Sequence, residues 1–165
     1  MKRRVYRICI LVSLLVIILS TFVCRFYSVS GSSMEPTFDE GNIVFAEKIT
    51  GKYERYDVVV VKNNGYLIIK RVIGLPGEKI RIEKGKVLIN GKEIEDVAEG
   101  NTAPGIAERE IELGENEYFL LGDNREESKD SRDESIGVIE KKKIKGRIVF
   151  SLIPFGKMDA PALRN

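Results

Sequence analysis

Residues 8–24 form a run of 17 residues without a single charge, and nothing else in the chain restricts its fold as strongly. As an α-helix rising 1.5 Å per residue the run is about 25 Å long, near the lower limit for crossing a hydrocarbon core of roughly 30 Å. The flanks extend it. Arg7 and Arg25 can snorkel toward headgroups, and Tyr6, Phe26 and Tyr27 stand where interfacial aromatics are favoured. Lys2, Arg3, Arg4 and Arg7 come before the run, so the positive-inside rule assigns the N-terminus to the cytoplasm and the residues after 27 to the outside. The expected organisation is a cytoplasmic N-terminus over 1–7, a single transmembrane anchor with its interface over 8–27, and an extracytoplasmic domain over 28–165. A cleaved signal peptide is the alternative, because Ser28-Val29-Ser30 is a small-x-small triplet. Against it, the run exceeds the usual apolar core of about 7 to 15 residues and continues into Arg25, Phe26 and Tyr27. A retained single-pass anchor in the cell membrane is therefore expected.

Charge is divided along the chain. Residues 1–27 hold five basic groups and no acid, whereas the other 138 residues carry 22 basic and 25 acidic groups, a net charge of −3. Nothing here suggests a nucleic-acid partner. The sequence contains no histidine, which excludes Ser-His-Asp and Cys-His relays and histidine-ligated zinc. Any general base must be Lys, Asp, Glu or Tyr. Cys9 and Cys24 lie 15 positions apart in the apolar run, about 22 Å along a helix, too far for a disulfide within it.

Beyond residue 41 the chain reads as strands: 42–47, 56–62, 66–73, 79–83, 86–89, 117–121 and 144–153 are short apolar or β-branched runs between turn signals. Asn63-Asn64-Gly65, Lys84-Gly85 and Asn90-Gly91 are hairpin signals. A mostly β fold follows, all-β outside the helix, with coiled or barrel-like sheets. Residues 92–116 are acidic and turn-rich and read as a solvated part of a small excursion at about 78–116.

Three segments can carry chemistry. Gly31-Ser32-Ser33-Met34-Glu35-Pro36-Thr37 is a turn by composition that holds hydroxyls close to the membrane boundary, with Ser33 at most about 20 Å along the chain from Tyr27. In the second, residues 67–74, the pair Lys70-Arg71 interrupts a strand pattern; alternation puts Lys70 on one face with Ile68 and Val72, and Arg71 on the other with Ile69 and Ile73. An ammonium on an apolar face loses hydration and its pKa falls from about 10.4, and a neutral lysine beside a serine is a base that needs no histidine. A snorkelling surface lysine is the plain alternative. The third segment, residues 122–132, is dense in Asp, Asn, Ser and Arg, as in a hydrogen-bonded loop that props a site or in a solvated charged loop.

Taken together, the anchor, Gly31-Ser32-Ser33-Met34-Glu35-Pro36-Thr37, Gly41-Asn42-Ile43-Val44, Tyr56-Asp57-Val58-Val59-Val60, KRVIGLPG from Lys70 and GDNREESKDSR from Gly122 resemble the bacterial type I signal peptidases, the Ser/Lys leader peptidases. The resemblance implies Ser33 as nucleophile and Lys70 as its general base. It implies that Ser128 hydrogen-bonds and orients the lysine, and that Asp123, Asp130, Arg132 and Arg71 brace the site through ion pairs. Some members carry an oxyanion-hole serine two positions before the nucleophile; Gly31 stands there in this chain, as in the branch common in Gram-positive bacteria. The hole would then rely on the Ser33 backbone N–H and a second backbone donor. Met34 is a candidate for the substrate pocket, and equally for core packing or membrane contact.

The implied activity is that of a membrane-bound serine endopeptidase removing signal peptides from secretory preproteins after small-x-small sites. Its partners would be those preproteins and the lipid bilayer. No metal, nucleotide or organic cofactor is implied. A client-restricted Ser/Lys protease and an inactive anchored β-domain that binds secreted chains are the alternatives.

Overall fold

The structure is a computed structural model describing residues 2–48, 51–98, 102–153 and 156–157; the side chains of residues 15–24, 153 and 157 lie outside that description, as do Glu99 and Gly100 of the acidic stretch. Helix α1 (Lys2–Val23) leads directly into β1 (Cys24–Ser28). The remaining strands are β2 (Ile43–Glu47), β3 (Val58–Asn63), β4 (Tyr66–Gly74), β5 (Lys79–Glu83), β6 (Lys86–Ile89), β7 (Lys92–Glu93), β8 (Ile111–Glu112), β9 (Glu117–Leu121), β10 (Ile139–Glu140), β11 (Ile144–Ile153) and β12 (Gly156–Lys157). They form two antiparallel sheets. The larger runs β1-β2-β11-β3-β4-β9-β10 with β12 beside β11, and the smaller runs β7-β6-β5-β8.

Among the described residues, the expectation of a barrel-like closure is corrected: the larger sheet begins at β1 and ends at β10 without pairing those two strands. It coils instead. Register shifts in β11 and between β4 and β9 bend the ladder, as bulges do.

Among the described residues no helix is long and apolar enough to cross a membrane. Four cations occupy the first six positions of α1, and its uncharged remainder, residues 8–23, is about 24 Å long. Residues 24–27, expected in the anchor and its interface, are in β1. Their backbone groups pair with β2, from Cys24 opposite Glu47 to Ser28 opposite Ile43. Ile8, Ile10, Leu11, Val12 and Leu14 of α1 are all exposed.

Hairpin chemistry fixes the local register. Asn63 pairs with Tyr66 across Asn64 (φ 46°) and Gly65 (φ 88°), and Ile89 pairs with Lys92 across Asn90 (φ 51°) and Gly91 (φ 77°). Both are two-residue turns with two positive φ values, which glycine and asparagine adopt at least cost.

Strand β3 reads as an unbroken valine run because both its faces are covered. Val58 and Val60 pack with Val29, Met34, Phe38, Val44, Ala46 and Ile148, while Val59 and Val61 pack on the other face with Tyr53, Val72, Tyr118, Leu120, Ile139 and Ile144. A third cluster, including Ile73, Ile80, Ile82, Leu113 and Phe119, joins the smaller sheet to the end of the larger one.

Candidate active site

The segment carrying Ser33 is held at both ends. Val29 N–H donates to Asn42 O (2.8 Å) and Gly41 N–H to Val29 O (3.0 Å), closing a loop between β1 and β2. Within it Met34 and Phe38, each 1 % exposed, anchor the turn in the core, and Phe38 N–H donates to Met34 O at 2.9 Å. Two inserted apolar side chains thus fix the turn over residues 34–38, with Ser33 immediately before it. Gly31 adopts φ +81° with open space around the position of a Cβ, so glycine serves the backbone conformation there rather than a close approach.

Lys70 stands in β4 opposite Val59 of β3 and is 4 % exposed. Its Nζ lies 2.6 Å from Ser33 Oγ. Burial lowers its pKa from 10.5 to about 8, against the opposing pull of Asp130 and Asp123, while Arg132 lowers it further. At pH 7 about 10 % of such a lysine is neutral, against roughly 0.04 % of an ordinary one. Hydrolysis that uses this amine as base is expected to have a kcat/KM that climbs about tenfold per pH unit below pH 8 and levels off above it. A pH–rate profile with chemistry rate-limiting checks this; a flat profile from pH 6 to 10 would sink Lys70 as the base.

Arg71, the next residue, is buried at 2 % exposure. Its guanidinium donates in bidentate fashion to Asp123, Nε to Oδ1 at 2.7 Å and Nη2 to Oδ2 at 2.5 Å, and also donates to Tyr56 O at 2.9 Å. Thr37 Oγ1 donates to Asp123 Oδ2 at 2.5 Å. The threonine, four residues after Ser33, is thereby tied to the carboxylate that also holds Arg71. Thr37 was not assigned a role from sequence, and its signal is only its place at the end of the Ser33 motif.

Asp130 and Arg132 form the second buried pair. Asp130 accepts from Arg132 Nε (2.8 Å) and Nη2 (2.9 Å) and from Gly122 N–H (3.0 Å), while Arg132 also donates to Arg125 O (2.8 Å). The loop after β9 therefore folds around two ion pairs and reaches Ser33: Asn124 N–H donates to Ser33 O at 3.1 Å. Gly122 makes the approach possible. A Cβ there would meet Ser128 Oγ at 2.1 Å and Ser33 O at 2.5 Å.

The structure departs from the implied role of Ser128. Its hydroxyl oxygen is buried beside Gly122 with no hydrogen-bond partner among the described residues, and Lys70 Nζ contacts Ser33 Oγ.

The acidic stretch is more than a solvated loop. Asp96 accepts from Arg125 Nη1 (2.6 Å) and Nη2 (2.5 Å), Thr102 Oγ1 accepts from Arg125 Nη1 (2.8 Å), and Glu95 O accepts from the Tyr56 hydroxyl (2.7 Å). The excursion clamps the back of the loop that carries Asp123 and Asp130.

A cavity of about 330 Å³ opens on Ser33 and Lys70 between residues 26–30 on one side and 67–70 on the other, with Met34 and Val60 also in its wall. Met34 is therefore at once a core residue and part of the cavity wall. Strand β4 pairs with β9 only from Arg71 onward, so among the described residues its edge over 66–70 is open toward this cavity. No described group accepts the Ser33 backbone N–H. The arrangement offers a hydroxyl nucleophile, an amine that can be neutral near neutral pH, an amide donor and an open strand edge.

Residues 2–153 match the family model described as signal peptidase, peptidase S26. The chain is 32 % identical to signal peptidase I of Bacillus licheniformis over 90 % of this chain and 87 % of that one. It is 32 % identical to signal peptidase IB of Staphylococcus aureus (strain Mu50 / ATCC 700699) over 85 % and 83 %. The crystal structure of a signal peptidase I from Enterococcus faecalis V583 is similar with a TM-score of 0.51 and 28 % identity, covering 59 % of this chain and 97 % of that one.

Proposed function

Since the chain belongs to the signal peptidase S26 family, we propose that it removes signal peptides from secretory preproteins after small-x-small sites, with Ser33 as nucleophile and Lys70 as general base. The 2.6 Å contact between the two side chains carries this assignment. The neutral amine accepts the Ser33 hydroxyl proton as Oγ bonds to the scissile carbonyl carbon, and the Ser33 N–H is free to donate to the oxyanion. The resulting ammonium gives its proton to the departing amine as the C–N bond breaks. Water then attacks the acyl-enzyme, losing a proton to Lys70, and Ser33 Oγ leaves with that proton.

The open edge of β4 supports binding of the preprotein as an added strand, its side chains alternating toward and away from the cavity wall. Arg71, Asp123, Asp130 and Arg132 are positioning residues, fixing the strand that holds Lys70 and the loop that contacts Ser33. Helix α1 is the anchor in this proposal, its N-terminus cytoplasmic and the β-domain outside. The support is its cationic start, its uncharged run and the exposure of Ile8, Ile10, Leu11, Val12 and Leu14.

The test is incubation of the detergent-solubilised full chain with a preprotein bearing an Ala-x-Ala site, with products read by mass spectrometry. One cut after the second alanine is expected. No cut in any of several preproteins would favour a binding domain, and a cut in one alone a client-restricted protease.

A further inference from the structure

Beside the catalytic cavity lies a second, larger one of about 720 Å³, and the two share Tyr27 and Leu67 in their walls. Five cations line it: Arg25, Lys48, Lys62, Lys142 and Lys145. None of its lining residues is acidic. Lys142 is paired with Glu140 at 2.6 Å, but Arg25, Lys48, Lys62 and Lys145 make no ion pair among the described residues, and all four are exposed. Nearby Glu47 is engaged by Arg147 at 2.6 Å. In a chain whose residues after 27 carry a net charge of −3, four unneutralised cations around one basin are a local reversal of sign.

The surroundings identify the ligand. Arg25 is the second residue after α1, so the basin opens where the chain leaves its apolar helix. In its wall Leu67 is 52 % exposed and the Tyr27 ring is half-buried. Cations next to unburied apolar and aromatic side chains match a phosphate headgroup with acyl chains attached. An acidic polypeptide would need the cations alone. We propose that this basin binds the headgroup of an anionic phospholipid and so sets the height of the catalytic groove above the bilayer. The proposal rests on α1 lying in the membrane.

The deciding measurement is native mass spectrometry of the detergent-solubilised full chain titrated with phosphatidylglycerol or phosphatidylcholine. Each lysine near an anionic headgroup contributes roughly fivefold in affinity, so K48Q/K62Q/K145Q is expected to bind phosphatidylglycerol about a hundredfold more weakly than the parent. A control carrying K84Q/K86Q/K92Q, three exposed lysines around the smaller sheet, should bind as the parent does. The K48Q/K62Q/K145Q variant should cleave a short soluble peptide at the parental rate, showing that its fold is intact. Four outcomes would each overturn the site: equal phosphatidylglycerol adducts in parent and K48Q/K62Q/K145Q, equal binding of phosphatidylcholine, equally tight binding of glycerol phosphate, or displacement of the lipid by a glutamate-rich peptide. Flotation of the parent with phosphatidylcholine vesicles reports separately on α1. Its failure would overturn the anchor and with it the height-setting role, whereas unchanged flotation with equal lipid adducts in parent and K48Q/K62Q/K145Q would overturn the basin alone.

Discussion

Ser33→Ala is expected to lower kcat by at least about ten-thousandfold, Lys70→Met by a similar factor, and the double variant by no more than either alone. In the proposed mechanism Ser33 and Lys70 act as one unit across a 2.6 Å contact, so removing one leaves the other without a task. Without Oγ there is no atom to form the acyl-enzyme. Without Nζ the hydroxyl proton has no acceptor, and no histidine exists in the chain to replace it. Methionine keeps the length and burial of the lysine stem, so Lys70→Met isolates the amine from its packing. Single-turnover cleavage of an Ala-x-Ala preprotein checks the prediction, with circular dichroism confirming that each variant is folded. Additive losses in the double variant would show that the two side chains contribute to separate steps. Retention of more than about a hundredth of the parental rate by Ser33→Ala would move the nucleophile elsewhere.

The strands legible in the sequence were those with their own pattern. Residues 79–83, 86–89, 117–121 and 144–153 fall where the apolar runs and turn residues set them, because alternation and hairpin chemistry are local. Strand β1 was not legible. Cys24–Ser28 continues an apolar segment without a breaker, and only pairing with β2, some twenty residues away, selects the extended form. Strands β7 and β8 have two residues each, too few for any period. At the site, Ser33 and Lys70 were found through motif resemblance, since neither spacing nor composition separates a nucleophile from a turn serine. Asp96 and Thr37 were hidden for a different reason: each looks like an ordinary polar residue, and its role appears only when Arg125 or Asp123 arrives from a distant part of the chain.

Asp123→Ala is the second variant with a large expected effect, and its effect is on the fold as well as on the rate. The carboxylate accepts three hydrogen bonds, two from Arg71 and one from Thr37, at a site where both ionic partners are almost wholly buried. Removing it leaves the guanidinium charged and without its counterion, a change that costs about 3 to 5 kcal/mol. For a chain of this size that is a fall of roughly 10 °C in Tm, readable by differential scanning fluorimetry in detergent. Activity below that melting point should also drop, because Thr37 lies four residues from Ser33, the proposed nucleophile, and Arg71 adjoins Lys70, the proposed base. Arg71→Met combined with Asp123→Leu separates the two consequences. With both charges gone no ion is stranded, and stability should return to within about 1 kcal/mol of the parent, whereas activity should stay low, since Thr37 has lost the acceptor that fixes the Ser33 segment. If the double variant instead recovered both, the pair would be a packing element that an apolar contact can replace. If it recovered neither, the bidentate geometry itself, with the additional hydrogen bond from Arg71 to Tyr56 O, would be what holds β4 against the loop.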